Sequence, residues 1–282
     1  MKPSLAPTDI HPCVLTIAGS DSGGNAGVQA DLRAFHAYGL HGCTVFAALT
    51  AQNPRGVRSV HMVPPAFIED QLESVFEMYG VKALKTGMLG TAEVVEVVAR
   101  NLRKHPRVKK VFDPVMVATS GARLLADDAI EAMKKLLLPQ ATLITPNLPE
   151  AEVLLGRPIA GPGEVRAAAK QLSRTFGCAV LVKGGHAVER GAARRGEAGR
   201  GVEDVLFDGR RFHVFSLPAI EHPVSTHGTG CSLAAALAAE LALGTSLAKS
   251  VEGAKKFVYE AIRLSYYIGR HCGVLGMPRM SN

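Results

Sequence analysis

Thr226-His227-Gly228-Thr229-Gly230-Cys231-Ser232 runs directly into an alanine-rich stretch in which Leu233, Leu237 and Leu241 recur at helical spacing. A glycine-rich turn feeding a helix N-terminus aims several backbone N–H groups at one point, and the helix dipole adds partial positive charge there. Such a turn suits a phosphate, or a phosphoryl group in transit. Cys231 stands where the turn could present a reacting side chain, although outside this motif it would read as a small buried residue. Further polar clusters punctuate the chain: Gly19-Ser20-Asp21-Ser22-Gly23-Gly24-Asn25-Ala26-Gly27, Gln52-Asn53, Lys85-Thr86-Gly87-Met88, Asp113-Pro114-Val115-Met116, Thr145-Pro146-Asn147-Leu148-Pro149-Glu150 and Lys183-Gly184-Gly185-His186.

Each cluster follows a short apolar run of strand type, and this is what could bring them together. The runs at 13–18, 43–49, 83–86, 111–113, 143–145 and 180–183 alternate with helical patterns. Val28, Leu32 and Phe35 mark one helical face; Pro65 opens a second helix through Phe67, Ile68, Leu72, Val75, Phe76 and Tyr79; Val94, Val95, Val98 and Leu102 mark a third, and Ile130, Met133 and Leu137 a fourth. Continuous apolar strands alternating with helices predict a parallel sheet covered on both faces, whose ligands bind beyond the carboxyl ends of the strands. Asp208-Gly209 between residues 205–207 and 212–215 reads as a hairpin, and the chain from Ser232 to about Gly269 as helical. No linker divides the sequence, so residues 13–282 are expected to form one α/β domain after a flexible leader at 1–12.

Two nucleotide motifs do not fit. No lysine of the Walker type follows the 19–27 loop, and the turn at 228–233 lacks the third glycine of a dinucleotide fingerprint. The five cysteines are scattered without zinc-ligand spacing, which predicts reduced thiols. No run of about 18 apolar residues supports a membrane span, and the leader has no apolar signal core, so a cytoplasmic protein is expected. The net charge of +7 could serve nucleic acid, but aromatics are only 5% and no RNA-binding aromatic signature occurs. A basic surface with an anionic small-molecule site is the reading adopted.

Taken together and in this order, the clusters resemble the hydroxymethylpyrimidine/phosphomethylpyrimidine kinases of thiamine biosynthesis, in the ribokinase-like superfamily; the match runs from about Leu15 to Leu243. The resemblance implies a three-layer α/β/α sandwich with a mostly parallel central sheet, ATP and Mg²⁺ as cofactors, a small pyrimidine substrate, and a homodimer. Position by position it implies that Gln52 holds the aminopyrimidine edge through an amide that both donates and accepts. Gly19, Ala26, Thr50, Met88 and Val115 would wall the same pocket, with Asp31 near the substrate. Lys183, Asn147, Asp113 and Thr226 would serve ATP, and Glu150, assisted by Asp113, the metal. Gly228, Thr229 and Gly230 would form an anion hole, with Cys231 as the base, its thiol pKa lowered by the helix N-terminus.

Some positions depart from that pattern. Asn25 stands where relatives have glycine and Thr50 where many have valine, which could alter ring selectivity; Ala122 replaces an aspartate of some relatives. The basic segment 187–201 is expected to close over ATP, and 269–282 matches poorly and receives no role. The resemblance leaves open a pyridoxine or pyridoxal kinase, and a non-catalytic pyrimidine-binding regulator.

Overall fold

The computed structural model describes residues 11–53, 55–116, 125–184, 201–269 and 272–280. The leader up to residue 10, Ala122, and the 187–201 segment up to residue 200 lie outside the described residues.

Among the described residues nine strands form one sheet: β1 (Cys13–Asp21), β2 (His41–Asn53), β3 (Gly56–Met62), β4 (Val81–Thr86), β5 (Lys109–Phe112), β6 (Leu143–Ile144), β7 (Ala179–Val182), β8 (Val202–Phe207) and β9 (Phe212–Leu217). Their spatial order is β3-β2-β1-β4-β5-β6-β7-β8-β9. The pairs from β2 through β1, β4, β5 and β6 to β7 are parallel, and β3, β8 and β9 add antiparallel edges. The hairpin forms as expected, with Asp208 accepting from the amides of Arg210 and Arg211. The edge strand β3 is unannounced in the sequence, because Arg58, Ser59, Val60 and His61 are all exposed and give no apolar alternation.

The helices are α1 (Gly27–Ala37), α2 (Pro65–Met78), α3 (Ala92–Arg103), α4 (Asp127–Ala132), α5 (Leu148–Leu155), α6 (Pro162–Phe176), α7 (Thr229–Ala242) and α8 (Leu247–Arg263). Strand alternation divides the core in two. Val14, Ala83, Val111, Leu143 and Leu181 pack with α1, α7 and α8, whereas Leu15, Leu84, Phe112, Ile144 and Val180 pack with α2 through α6. Three layers follow from this period-two division. The final third is not one helical run: Gly244, at φ +85°, separates α7 from α8. Beyond α8, Tyr266–Ile268 (β10) pairs with Cys272–Val274 (β11). Among the described residues no helix is long and apolar enough to cross a membrane.

Candidate active site

Chain order reverses at β1, which has β2 on one side and β4 on the other. Such a switch point opens a crevice at the carboxyl ends of the strands. The loop after β1 is built around Asp21. Its buried carboxylate accepts the amides of Gly23, Asn25 and Ala26 at 2.7, 2.9 and 2.8 Å, folding the loop back on itself. Gly27 has φ +56°, and a Cβ there would collide with the Gly19 carbonyl, so this close approach requires glycine. Ser22 ties the loop to β2: its hydroxyl donates to the Gln52 carbonyl and accepts the Gln52 amide, at 2.8 and 2.9 Å. The Thr50 hydroxyl donates to the Ser20 carbonyl at 2.7 Å, a bond that valine could not make. That departure from the family pattern therefore serves loop anchorage.

The turn before α7 meets this loop. Gly228 has φ +86°, and a Cβ on it would fall on the Asn25 carbonyl oxygen. The turn before α7 thus rests directly on the first glycine loop. A Cβ on Gly230 would stand 3.7 Å from Lys183 Nζ and 3.9 Å from Asp113 Oδ2, which places an ammonium and a carboxylate at the N-terminus of α7. Lys183 donates to Asp113 Oδ1 at 2.7 Å, the Thr145 hydroxyl donates to the same oxygen at 2.9 Å, and Glu150 Oε2 lies 4.0 Å from the ammonium. Asn147 and Glu150 also form a reciprocal capping box: Asn147 Oδ1 accepts the Glu150 amide and Glu150 Oε2 accepts the Asn147 amide, both at 2.8 Å. Asn147 therefore spends its side-chain oxygen on α5, and its place at the cavity is that of a residue aiming Glu150.

Burial sets the electrostatics. It pushes Glu150 up to about 7, with Lys183 opposing and Asp113 adding to the rise. Burial works against the Lys183 ammonium, but Asp113 and Glu150 outweigh it and hold its pKa above the ordinary lysine value. Cys231 differs from expectation. Its thiol is raised, because burial outweighs the nearby Lys85 ammonium, and Asp31 and Asp113 add to the rise. A helix terminus contributes up to about 2 kcal/mol in a partly buried geometry, and here it does not reverse the effect of desolvation. Glu150 yields a pH prediction. A carboxylate whose folded pKa exceeds its unfolded value favours folding below the unfolded pKa, and loses that contribution as pH rises through the folded one. Glu150→Gln should therefore gain stability on wild type between pH 5 and pH 8, read from urea midpoints; an equal difference at both pH values would refute this.

One cavity of about 850 Å³ collects these groups. Gly19, Ala26, Thr50, Gln52, Met88 and Val115 line it together with Asp113, Asn147, Glu150, Lys183, Thr226, Gly228, Thr229, Gly230 and Cys231. Val202, Leu217, Val258 and Ile262 add apolar wall to the same cavity, which the paired charges of Asp204 and Lys255 also line. Asp31 is not among the lining residues. It is fully buried on α1, accepting from Lys85 Nζ at 2.8 Å and from the Thr16 hydroxyl at 2.6 Å. Sequence reasoning missed this pairing, as it missed Asp21 and the buried pair of Asp204 with Lys255 at 2.6 Å. Partners 54 and 51 residues apart leave no local signal. Asp21 carried one: an aspartate ahead of a glycine-rich turn is placed to cap amides two residues on.

Residues 21–276 match the model of the phosphomethylpyrimidine kinase family. The chain is 41% identical over 255 residues to the hydroxymethylpyrimidine/phosphomethylpyrimidine kinase of Bacillus subtilis, covering 90% of each. It is 45% identical to the thiamine biosynthesis bifunctional protein of Geobacter sulfurreducens, covering 96% of this chain and 55% of that protein. The chain thus spans about half the length of that bifunctional relative. Among solved structures, an ADP complex of Bacillus subtilis pyridoxal kinase superposes with a TM-score of 0.83 at 33% identity, covering 95% of this chain and 98% of that one.

Proposed function

The chain belongs to the phosphomethylpyrimidine kinase family, and from that premise we propose that it transfers the γ-phosphoryl group of ATP to 4-amino-5-hydroxymethyl-2-methylpyrimidine, and then to the resulting monophosphate, in thiamine biosynthesis. The observation that carries this reading is the meeting, in one cavity, of Gln52 and Met88 with Lys183, Asp113, Cys231 and the amides before α7. Gln52 suits the aminopyrimidine edge, with Gly19, Ala26, Met88 and Val115 about the ring. The apolar side chains of Val202, Leu217, Val258 and Ile262 on the cavity wall suit the base of the nucleotide. Lys183 stands near Gly230 on the same cavity, and with the amides of Gly228 to Cys231 it would meet the transferring group.

The substrate alcohol attacks the γ-phosphorus in line; its O–P bond forms as the bond to ADP breaks, and its proton leaves. Lys183 and the turn amides stabilise charge on the equatorial oxygens without reorganising, because Asp113 and the Gly228–Asn25 contact already fix them. Asp113 and Glu150 are hard oxygen donors that face one ammonium, so the pair fits a magnesium ion, which when bound would neutralise phosphate charge. Glu150 must ionise to serve it. Cys231 takes the proton late through its thiolate fraction, which the raised thiol keeps small near neutral pH and which grows as pH rises, since a loose phosphoryl-transfer transition state asks little of a base early. A homodimer in the cytoplasm is the assembly we propose, and exposed Leu49 and Val60 on the β2–β3 edge support a further contact there.

The test is ATP-dependent turnover of hydroxymethylpyrimidine, its monophosphate and pyridoxine side by side. Turnover of pyridoxine alone would move the assignment to the vitamin B6 ring, and tight pyrimidine binding without turnover would leave a sensor. In the same assay Cys231→Ala should keep pyrimidine binding and lose about 10²-fold in kcat, the low end for a general base because the thiol is protonated at rest. Wild-type kcat should climb with pH between 6 and 9, and the variant should keep only the part of the rise near pH 7 that ionisation of Glu150 imposes, levelling off above it. Full activity in that variant would remove the base and leave the amides.

A further inference from the structure

The segment after α8, which was expected to match the family poorly but which the family model covers as far as residue 276, closes a ring around the phosphoryl-transfer turn. β11 backs onto the chain just ahead of that turn: a Cβ on Gly273 would collide with the Val224 carbonyl oxygen and stand 2.9 Å from Val224 Cγ1. Val224 precedes Thr226 by two residues. On the other side of the turn, Gly228 rests on the Asn25 carbonyl. The neighbouring Gly24 carbonyl accepts from Arg33 Nη1 at 3.4 Å, and Arg33 Nη2 donates to the Leu275 carbonyl at 2.8 Å. The path from Gly273 through Val224, Gly228, Asn25, Gly24 and Arg33 thus returns to Leu275, two residues from its start.

The far side of the ring is anchored on the helical layer. Val274 and Leu275 are buried, the Gly276 amide donates to the Ala261 carbonyl, and the Met280 amide donates to the Ala37 carbonyl, each bond at 3.1 Å. These contacts fix the segment to both α1 and α8. A strap needed only for stability would have no reason to touch both lips of the turn. We propose that residues 272–276, with Arg33, act as a brace in which Gly273 and Arg33 are positioning residues for the anion hole. The brace touches neither substrate nor nucleotide and works through the placement of the 226–231 amides.

This inference rests on the kinase reading of the turn, so its test carries a readout independent of turnover. Gly273→Ala pushes on Val224, and Arg33→Met releases Gly24 from Leu275. Each should lower kcat by about 10- to 100-fold, the cost of a small misplacement at a reacting centre, with KM for both substrates within roughly twofold of wild type. Amide hydrogen exchange should quicken at 226–231 while β1 and β4 stay protected. Arg33→Lys, which can reach one carbonyl but not both, should fall between Arg33→Met and wild type; it also keeps the test open if Gly273→Ala fails to fold. Unchanged exchange at 226–231, or faster exchange spread evenly through the sheet, would overturn the brace. If exchange responds as stated but wild type transfers no phosphate to the pyrimidine, the brace stands and the kinase reading falls.

Discussion

Lys183→Met is expected to cut kcat by about 10³-fold or more, because it removes the fixed cation at the helix terminus where equatorial oxygen charge develops. The ammonium is held at 2.7 Å by Asp113 and flanked by Glu150, and the lysine side chain is only 14% exposed. A cation so placed needs no reorganisation when the phosphoryl group passes, which is why its loss should exceed that of Cys231. Pyrimidine binding, measured by calorimetry without nucleotide, should persist, since Gln52 and Met88 are held by β2 and the loop after β4. The change also removes the charge that opposes the rise in Glu150, so that carboxylate should titrate higher still. A kcat within tenfold of wild type would assign the charge stabilisation to the backbone amides alone.

What the sequence disclosed and what it hid divide along physical lines. Alternation of apolar strands with helical periods is a local property, and it disclosed the parallel sheet and the side on which Gln52, Asp113 and Lys183 gather. Glycines at 27 and 228 were legible as turns, but not as close approaches to Gly19 and Asn25, since those contacts join separate stretches of chain. The resemblance set Asn147 and Glu150 beside ATP and metal; the N-x-x-E spacing is equally that of a capping box, and the structure shows them forming one. For Cys231 the helix terminus was visible while the burial was not, and burial decides the direction of its shift. Strands β3 and β10 escaped notice because edge strands with exposed side chains lack the alternation that betrays buried ones.

Lys85→Met should destabilise the fold by about 3–5 kcal/mol, the usual cost of stranding one member of a buried ion pair. In a chain of this size that is a fall in Tm of about 10 °C. Neither side chain of the Lys85–Asp31 pair has any solvent exposure, and both Asp31 oxygens accept from the ammonium, at 3.0 and 2.8 Å. Removing the lysine leaves Asp31 with only the Thr16 hydroxyl, so the carboxyl must stay charged at high cost or take up a proton. Adding Asp31→Asn should restore most of the stability, because an amide can still accept from Thr16 and no charge is left behind. Function need not recover with it. Of the two charges, Lys85 acts on the Cys231 thiol more strongly than Asp31 does, and in the opposite sense. The double variant should therefore fold like wild type yet hold a thiol that titrates higher, seen as a shift of the iodoacetamide alkylation profile to higher pH. Restored stability with an unshifted profile would make the pair a purely structural clamp; failure to restore stability would show that Lys85 is needed for more than neutralising Asp31.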